Sequence, residues 1–400
     1  MRNDVRLPPD PTSGAARIKS PAPDEIYLDH HATTPIDARV LTRMLPFFGE
    51  SFGNPHSVVY GRAEAARAAV AEARSHVAAL IKAKPEEIVF TSGATEATNI
   101  VLKGLAPRKA GHLVVSAIEH ACVRETAHAL REAGWALTTI PVDGDGLVDP
   151  DEVANALRDD TAVVSVMMAN NEIGTLQPVA EIGAACWMGE VPFHVDAAQA
   201  VGKVTVDVEQ MAISAMSISS HKLYGPQGVG ALFCRAELRD RLRPIQSGGG
   251  QEHGLRPGTL PLPLVVGFGE ACRIAAEEMA AEAERLTRLR SRLLARLRQQ
   301  APPFVLNGSL ERRLPGNLNV SFSGVAGDAI VGAVRGVALS TGSACSSGAI
   351  EPSHVLLAMD LARDVVDGAV RIGLGRGTSE EDVDLAADRI SAAANALIAS

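Results

Sequence analysis

The runs Phe193-His-Val-Asp196-Ala-Ala-Gln199 and Ala215-Met-Ser-Ile-Ser219-Ser-His-Lys222-Leu-Tyr-Gly-Pro-Gln-Gly-Val-Gly230 decide the fold. Each begins as a short apolar or β-branched stretch and ends in polar residues, the pattern of a strand buried on both faces. Ile88–Thr91, Leu113–Ser116, Leu137–Pro141 and Ala162–Met168 have the same character. Among these runs lie Ala-rich amphipathic segments such as Ala63–Ile81 and Pro150–Leu157. Strands alternating with helical patterns imply βαβ units and a mostly parallel sheet, so the expected class is α/β.

Farther along, Pro263–Gln300 reads as one long helix or two stacked ones. Its acids come early (Glu277, Glu278, Glu282, Glu284) and its bases late (Arg285, Arg288, Arg290, Arg292, Arg296, Arg298). That order complements a helix dipole, and a solvated face explains these charges without further chemistry. After Pro303 the pattern changes to short strands, Asn317–Phe322, Val337–Ser340 and Ala369–Leu374, with helices between them. A smaller C-terminal domain therefore begins within or after the long helix. Residues 1–23 are rich in Pro, Ser and Arg, show no hydrophobic period, and read as a flexible tail. Asp4 and Asp10 argue against a transit peptide there, because such peptides are poor in acids.

The 400 residues are 46% hydrophobic and 21% charged, enough to bury a large core and too apolar for a disordered chain. A formal charge of −9 leaves no basic excess for a general nucleic-acid footprint. The five cysteines are odd in number and scattered, without paired-cysteine metal spacing. They imply a reducing compartment and no resident metal. No run approaches the roughly 18 apolar residues of a membrane span, and no signal-peptide core opens the chain. The expected location is the cytoplasm, with no membrane partner.

Lys222 follows a strand and precedes a glycine-rich turn, at the strand end where ligands gather in open α/β sheets. A lysine there can hold a carbonyl cofactor as a Schiff base; alone, it would more simply be a surface lysine beside a loop. Asp196 ends the preceding strand. Pyridoxal phosphate needs an acid on its pyridinium nitrogen to withdraw electrons well, and Asp196 suits that task; a helix N-cap is the plainer alternative. Upstream, Phe90-Thr-Ser-Gly-Ala-Thr95-Glu-Ala-Thr-Asn99 runs from a strand through a small-residue turn into a helix. Its N–H groups and the Thr95 hydroxyl suit a phosphate, which Ser219 and His221 could enclose. Small residues in such a turn otherwise mean tight packing.

SGATEATN (92–99), Glu119-His120, ANNEIGTLQPV (169–179), HVDAAQAVGK (194–203) and SSHKLYGPQGVGAL (219–232) occur in order. GGGQEHGLRPGT (248–259), LPGNLNVSF (314–322), STGSACSSG (340–348) with EPSHVL (351–356), and VRIGLGR (370–376) follow. From Tyr27 to about Asp384 the chain resembles the group I cysteine desulfurases of the NifS/IscS type, pyridoxal-phosphate enzymes of fold type I. The resemblance implies a large cofactor domain over residues 24–265 with a mostly parallel seven-stranded sheet. It implies a smaller α+β domain over 266–400 that carries the catalytic cysteine. Lys222 would hold the cofactor and act as base, and His120 would stack on its ring and handle protons. A satisfied core histidine is the alternative for His120. Asp196 would pair with the ring nitrogen and Gln199 with the phenolic oxygen, while Ala94, Thr95, Ser219 and His221 would hold the phosphate. Asn171 would lie near the cofactor oxygen and the substrate carboxylate, which Arg371 would clamp with its planar fork. Thr259 would reach the phosphate of a partner subunit, which implies a homodimer.

Cys345 lies among small polar residues, Ser343-Ala-Cys-Ser-Ser-Gly348, where a thiol can ionise and meet substrate. Apolar settings mark Cys122, Cys234 and Cys272 as structural. The resemblance implies that L-cysteine yields L-alanine while Cys345 keeps a persulfide for a sulfur-acceptor or scaffold protein. The uses would be iron–sulfur cluster assembly or the thiolation of tRNA or cofactors. Transient contact of Cys345 with an iron–sulfur cluster is the only metal contact implied. Selenocysteine lyase, and another fold-type-I lyase or aminotransferase, are the enzyme alternatives; a non-enzymatic sulfur carrier would not need Lys222, His120, Asp196 and Gln199 together. Two departures from the family pattern stand out: the loop from Asn54-Pro55 is short and lacks a second histidine, and His253 replaces a more common arginine.

Overall fold

A computed structural model describes residues 25–57, 60–105, 111–341 and 352–399. In chain order its strands are β1 (Ile26–Tyr27), β2 (Ile88–Thr91), β3 (His112–Ser116), β4 (Ala136–Ile140), β5 (Thr161–Ser165) and β6 (Phe193–Asp196). They continue with β7 (Ala215–Ser219), β8 (Gly230–Cys234), β9 (Val305–Leu306), β10 (Asn317–Ser321), β11 (Val337–Ala338) and β12 (Ala369–Gly373). A seven-stranded sheet runs β2-β8-β7-β6-β5-β3-β4. Its neighbours pair in parallel except around β8, which is antiparallel to both β2 and β7. Every residue of β3, β7 and β8 is buried, as expected for strands covered by helices on both faces.

Leu262–Gln300 is one helix of 39 residues serving two cores. Its first half packs Val265, Phe268, Cys272 and Ala275 into the core of the large sheet. Its second half packs Leu286, Leu289, Leu293 and Leu297 against β10 and β12 of a three-stranded antiparallel sheet, ordered β12-β10-β9. Gly269 lets this helix lie directly on the helix Gly61–Leu80, because a Cβ there would collide with the Ala73 backbone. Parallel pairing of β1 with β11 draws Ile26 and Leu28 into the second core. The first described strand thus sits with the C-terminal elements, although the sequence reading grouped it with residues 24–265.

The expected strands lie within one residue of the observed ones, except Ala162–Met168 and Val337–Ser340. The first loses its β3 partner after Ser165, where the Glu119 carboxylate takes the Met167 N–H, while Val166 and Met168 still donate to the His194 and Asp196 carbonyls of β6. The second is a strand only over Val337–Ala338, with Ser340 bridging to Arg371. β8 and the two-residue strands β1 and β9 were not read from sequence.

Candidate active site

The C-terminal ends of β5, β6 and β7, the turn after β2 and the segment after β3 all open on one cavity of about 430 Å³. Open α/β sheets bind ligands at this edge. Lys222, His120, Asp196, Gln199, Asn171, Ser219, His221, Ala94, Thr95 and Arg371 all line it. Thr259 is exposed and lines no part of it. Cys345 lies outside the described residues.

Asp196 ends β6 and is buried. Its Oδ1 accepts the Ala198 N–H at 3.0 Å, so the carboxylate holds a turn rather than capping a helix, while Oδ2 lies 3.7 Å from Cys122 Sγ. His120 is the N-cap of the helix Ala121–Glu132, its Nδ1 accepting the Cys122 N–H at 3.2 Å. In the neutral ring the proton is then on Nε2. His120, Cys122 and Asp196 offer three donor atoms within 4.8 Å of one another, inside this same cavity. Burial holds the Cys122 thiol far above its usual range, helped by the Asp196 charge.

Lys222 closes the single turn Ser220–Lys222 after β7. Its Nζ donates to the carbonyls of His31 at 2.7 Å and Ala32 at 2.5 Å. His221 meets the Thr33 hydroxyl through Nδ1 at 3.0 Å. Burial first, then the charges of Lys222 and Lys203, lowers its pKa to about 4, so the ring is neutral. Gln199 accepts from His31 Nδ1 at 3.2 Å and Lys203 Nζ at 2.9 Å, and donates to the His31 carbonyl at 2.8 Å. Arg371, on β12, is 2% exposed. It donates to Asp29 Oδ1 at 2.8 Å and to the Asn171 carbonyl at 3.1 Å, while its Nε is buried without a partner.

The helix Ala94–Gly104 points its N-terminus at the cavity through Gly93, whose φ of 153° suits glycine. A Cβ at Gly93 would meet nothing within 4 Å, and Gly93, Ala94 and Thr95 line the cavity at the end of the helix whose first N–H groups have no intrahelical partners. This donor set fits pyridoxal phosphate. A helix N-terminus is available for its phosphate, a buried carboxylate for its ring nitrogen, an amide for its phenolic oxygen and an amine for its carbonyl carbon.

Sequence reading missed His31, Lys203, Asp29 and Glu119 as contributors. His31 and Asp29 meet Gln199 and Arg371 only through the fold, from 168 and 342 residues away. Lys203 carried a usable signal, standing four residues beyond Gln199 at the end of a motif already singled out.

The class-V aminotransferase profile matches residues 26–385. A mouse cysteine desulfurase is 47% identical over 367 residues, covering 91% of this chain and 80% of that protein. Among solved structures, a NifS-like protein matches with a TM-score of 0.87 and 36% identity, over 93% of this chain and 100% of the other. A structure titled SspA in complex with cysteine matches at 0.79 and 37% identity, over 87% and 98%. The fold and the cavity define a pyridoxal-phosphate enzyme of fold type I. The chain belongs to the class-V aminotransferase family.

Proposed function

We propose that this protein is a pyridoxal-phosphate-dependent cysteine desulfurase that takes L-cysteine to L-alanine and keeps the sulfur as a persulfide on Cys345. The reading rests on the convergence of Lys222, Asp196, His120, Gln199 and a helix N-terminus on one cavity. When bound, the cofactor supplies an electron sink for the substrate Cα. Asp196 would pair with its ring nitrogen and Gln199 with its phenolic oxygen; Ala94, Thr95, Ser219 and His221 would hold its phosphate. Lys222 would carry the covalent link and afterwards hold the Cα proton on Nζ. His120, protonated on Nε2, would cover the ring and pass a proton. The partnerless Nε of Arg371, with Asn171, would hold the substrate carboxylate. Cys345 Sγ then bonds to the substrate sulfur as the Cβ–S bond breaks. The electron pair of that bond stays on Cβ, which takes a proton, and alanine leaves.

The chain would work as a homodimer. Thr259 is exposed and away from its own cavity, which suits contact with a partner subunit's phosphate. The second core, which starts beyond the middle of the long helix, supports a smaller C-terminal domain within 266–400, with the first half of that helix packed on the large sheet. Among the described residues no helix is long and apolar enough to cross a membrane, and Cys122, Cys186, Cys234 and Cys272 are buried free thiols. We place the protein in the reducing cytoplasm, delivering sulfur to an acceptor or scaffold protein for iron–sulfur assembly or thiolation.

The test is incubation of the yellow holoenzyme with L-cysteine. Alanine should appear in step with protein persulfide, and Lys222→Ala should make neither. Pyruvate in place of alanine, or normal alanine release by Lys222→Ala, would overturn the assignment.

A further inference from the structure

Lys203 does not line the cofactor cavity, yet it touches a residue that does. Its Nζ lies 2.9 Å from Gln199 Oε1. It lines a second, much smaller cavity of about 20 Å³, together with His31, Tyr224 and Glu282. Gln199 lines the large cavity and Lys203 the small one, and His31, which touches Gln199, lines both.

This contact decides which way the amide points. An ammonium group only donates, so the amide atom facing Lys203 is the oxygen. His31 agrees: burial, then the charges of Lys203 and Arg371, keeps its ring neutral, and Nδ1–H donates to the same Oε1. Gln199 Nε2 then has two hydrogens. One goes to the His31 carbonyl at 2.8 Å, and the other remains for the cofactor side.

We propose that Lys203 is a positioning residue that locks the Gln199 amide so that an N–H, rather than a carbonyl, meets the phenolic oxygen of the cofactor. This rests on the reading of Gln199 as that oxygen's partner. Burial first, then the Lys222 charge, with Arg371 adding and Glu282 opposing, lowers the Lys203 amine to about 7. An anionic cofactor in the neighbouring cavity favours the charged amine, so occupancy strengthens the lock. Without Lys203 the amide keeps its two His31 contacts but loses the charged one, so a turned amide, with its oxygen set against an oxyanion, becomes less costly to reach. A donor stabilises the deprotonated oxygen and lowers the pH at which the bound cofactor titrates; losing it raises that pH.

The experiment titrates the visible absorbance of the bound cofactor against pH in the holoenzyme and in Lys203→Met, Gln199→Leu and the double variant. Cofactor dissociation constants are measured alongside. Lys203→Met should raise the titration midpoint by about one unit and weaken cofactor binding by about tenfold, the scale of one charge-assisted hydrogen bond. Gln199→Leu should shift the midpoint similarly, and the double variant no further than either single one. A shift in Gln199→Leu with none in Lys203→Met overturns the positioning role. Additive shifts also overturn it, because Lys203 would then act on the cofactor directly by its charge. An unmoved midpoint in Gln199→Leu instead refutes the reading of Gln199 itself. If Lys203→Met does not fold, Lys203→Gln removes the charge while keeping a polar tip, and its midpoint is judged by the same outcomes.

Discussion

Replacing Glu119 by glutamine should leave the protein more stable at pH 8 than the parent, and by less at each lower pH. Glu119 sits one residue before His120, between the ends of β3 and β5. Its Oε1 accepts from the Ser116 hydroxyl at 2.5 Å and the Met167 N–H at 2.8 Å, while Oε2 is buried without a partner. Burial raises its carboxyl from 4.5 to about 8, opposed by the two hydrogen bonds and helped by the Asp196 charge. Since the folded value exceeds the unfolded one, the neutral carboxyl contributes stability that is whole below pH 4.5. It is lost as pH rises to 8. At about 1.4 kcal/mol per unit the full contribution is about 5 kcal/mol. Glutamine keeps the carbonyl acceptor and carries no charge, so it loses nothing over this range. Equilibrium urea unfolding from pH 5 to 8, at one cofactor concentration, should show the variant gaining on the parent by about 1.4 kcal/mol per pH unit. A difference that stays constant across that range would mean Glu119 is ionised in the folded protein, and the argument fails.

Two further outcomes test the substrate side of the site. In Cys345→Ser, Lys222, Asp196, Asn171 and Arg371 all remain, so L-cysteine should still change the cofactor spectrum. Persulfide and stoichiometric alanine should both disappear, because a serine hydroxyl is scarcely ionised at neutral pH; turnover at the parent rate would rule out the thiol as acceptor. Arg371→Lys keeps a positive charge but loses the planar fork, so KM for L-cysteine should rise about tenfold or more with a smaller change in kcat. An unchanged KM would remove Arg371 from the substrate carboxylate.

What the sequence disclosed, and what it hid, follows from the range of the interactions involved. β6 and β7 are runs whose buried faces and polar ends lie within a few consecutive residues, so Asp196 and Lys222 could be placed at strand ends directly. β8 was harder: Gly230–Cys234 follows a tight turn and pairs antiparallel with two strands, one of them far upstream, so no βαβ rhythm marks it. Ala162–Met168 reads as one strand because six of its seven residues are apolar and only Ser165 is polar. Composition could not show that the Glu119 side chain would replace a backbone partner at Met167. The roles expected for Asn171 and Arg371 came from resemblance alone. Their contact through the Asn171 carbonyl joins residues 200 positions apart, beyond any local pattern.

The same reasoning explains why an unassuming segment near the N-terminus matters to the site. Leu28 belongs to the C-terminal core, and Asp29 pairs with Arg371 on β12. Immediately beyond, the carbonyls of His31 and Ala32 hold Lys222 Nζ, and the Thr34 N–H donates to the His221 carbonyl at 3.0 Å. The amine assigned to the cofactor and the guanidinium assigned to the substrate carboxylate stand on different cores. Both are tied to one short stretch of backbone. The long helix Leu262–Gln300 joins the cores at a distance, while Asp29–Ala32, together with the Asn171 carbonyl on Arg371, links Lys222 and Arg371 at the site itself. A change in this segment therefore acts on both halves of the reaction together, even where it leaves every residue assigned to the chemistry in place.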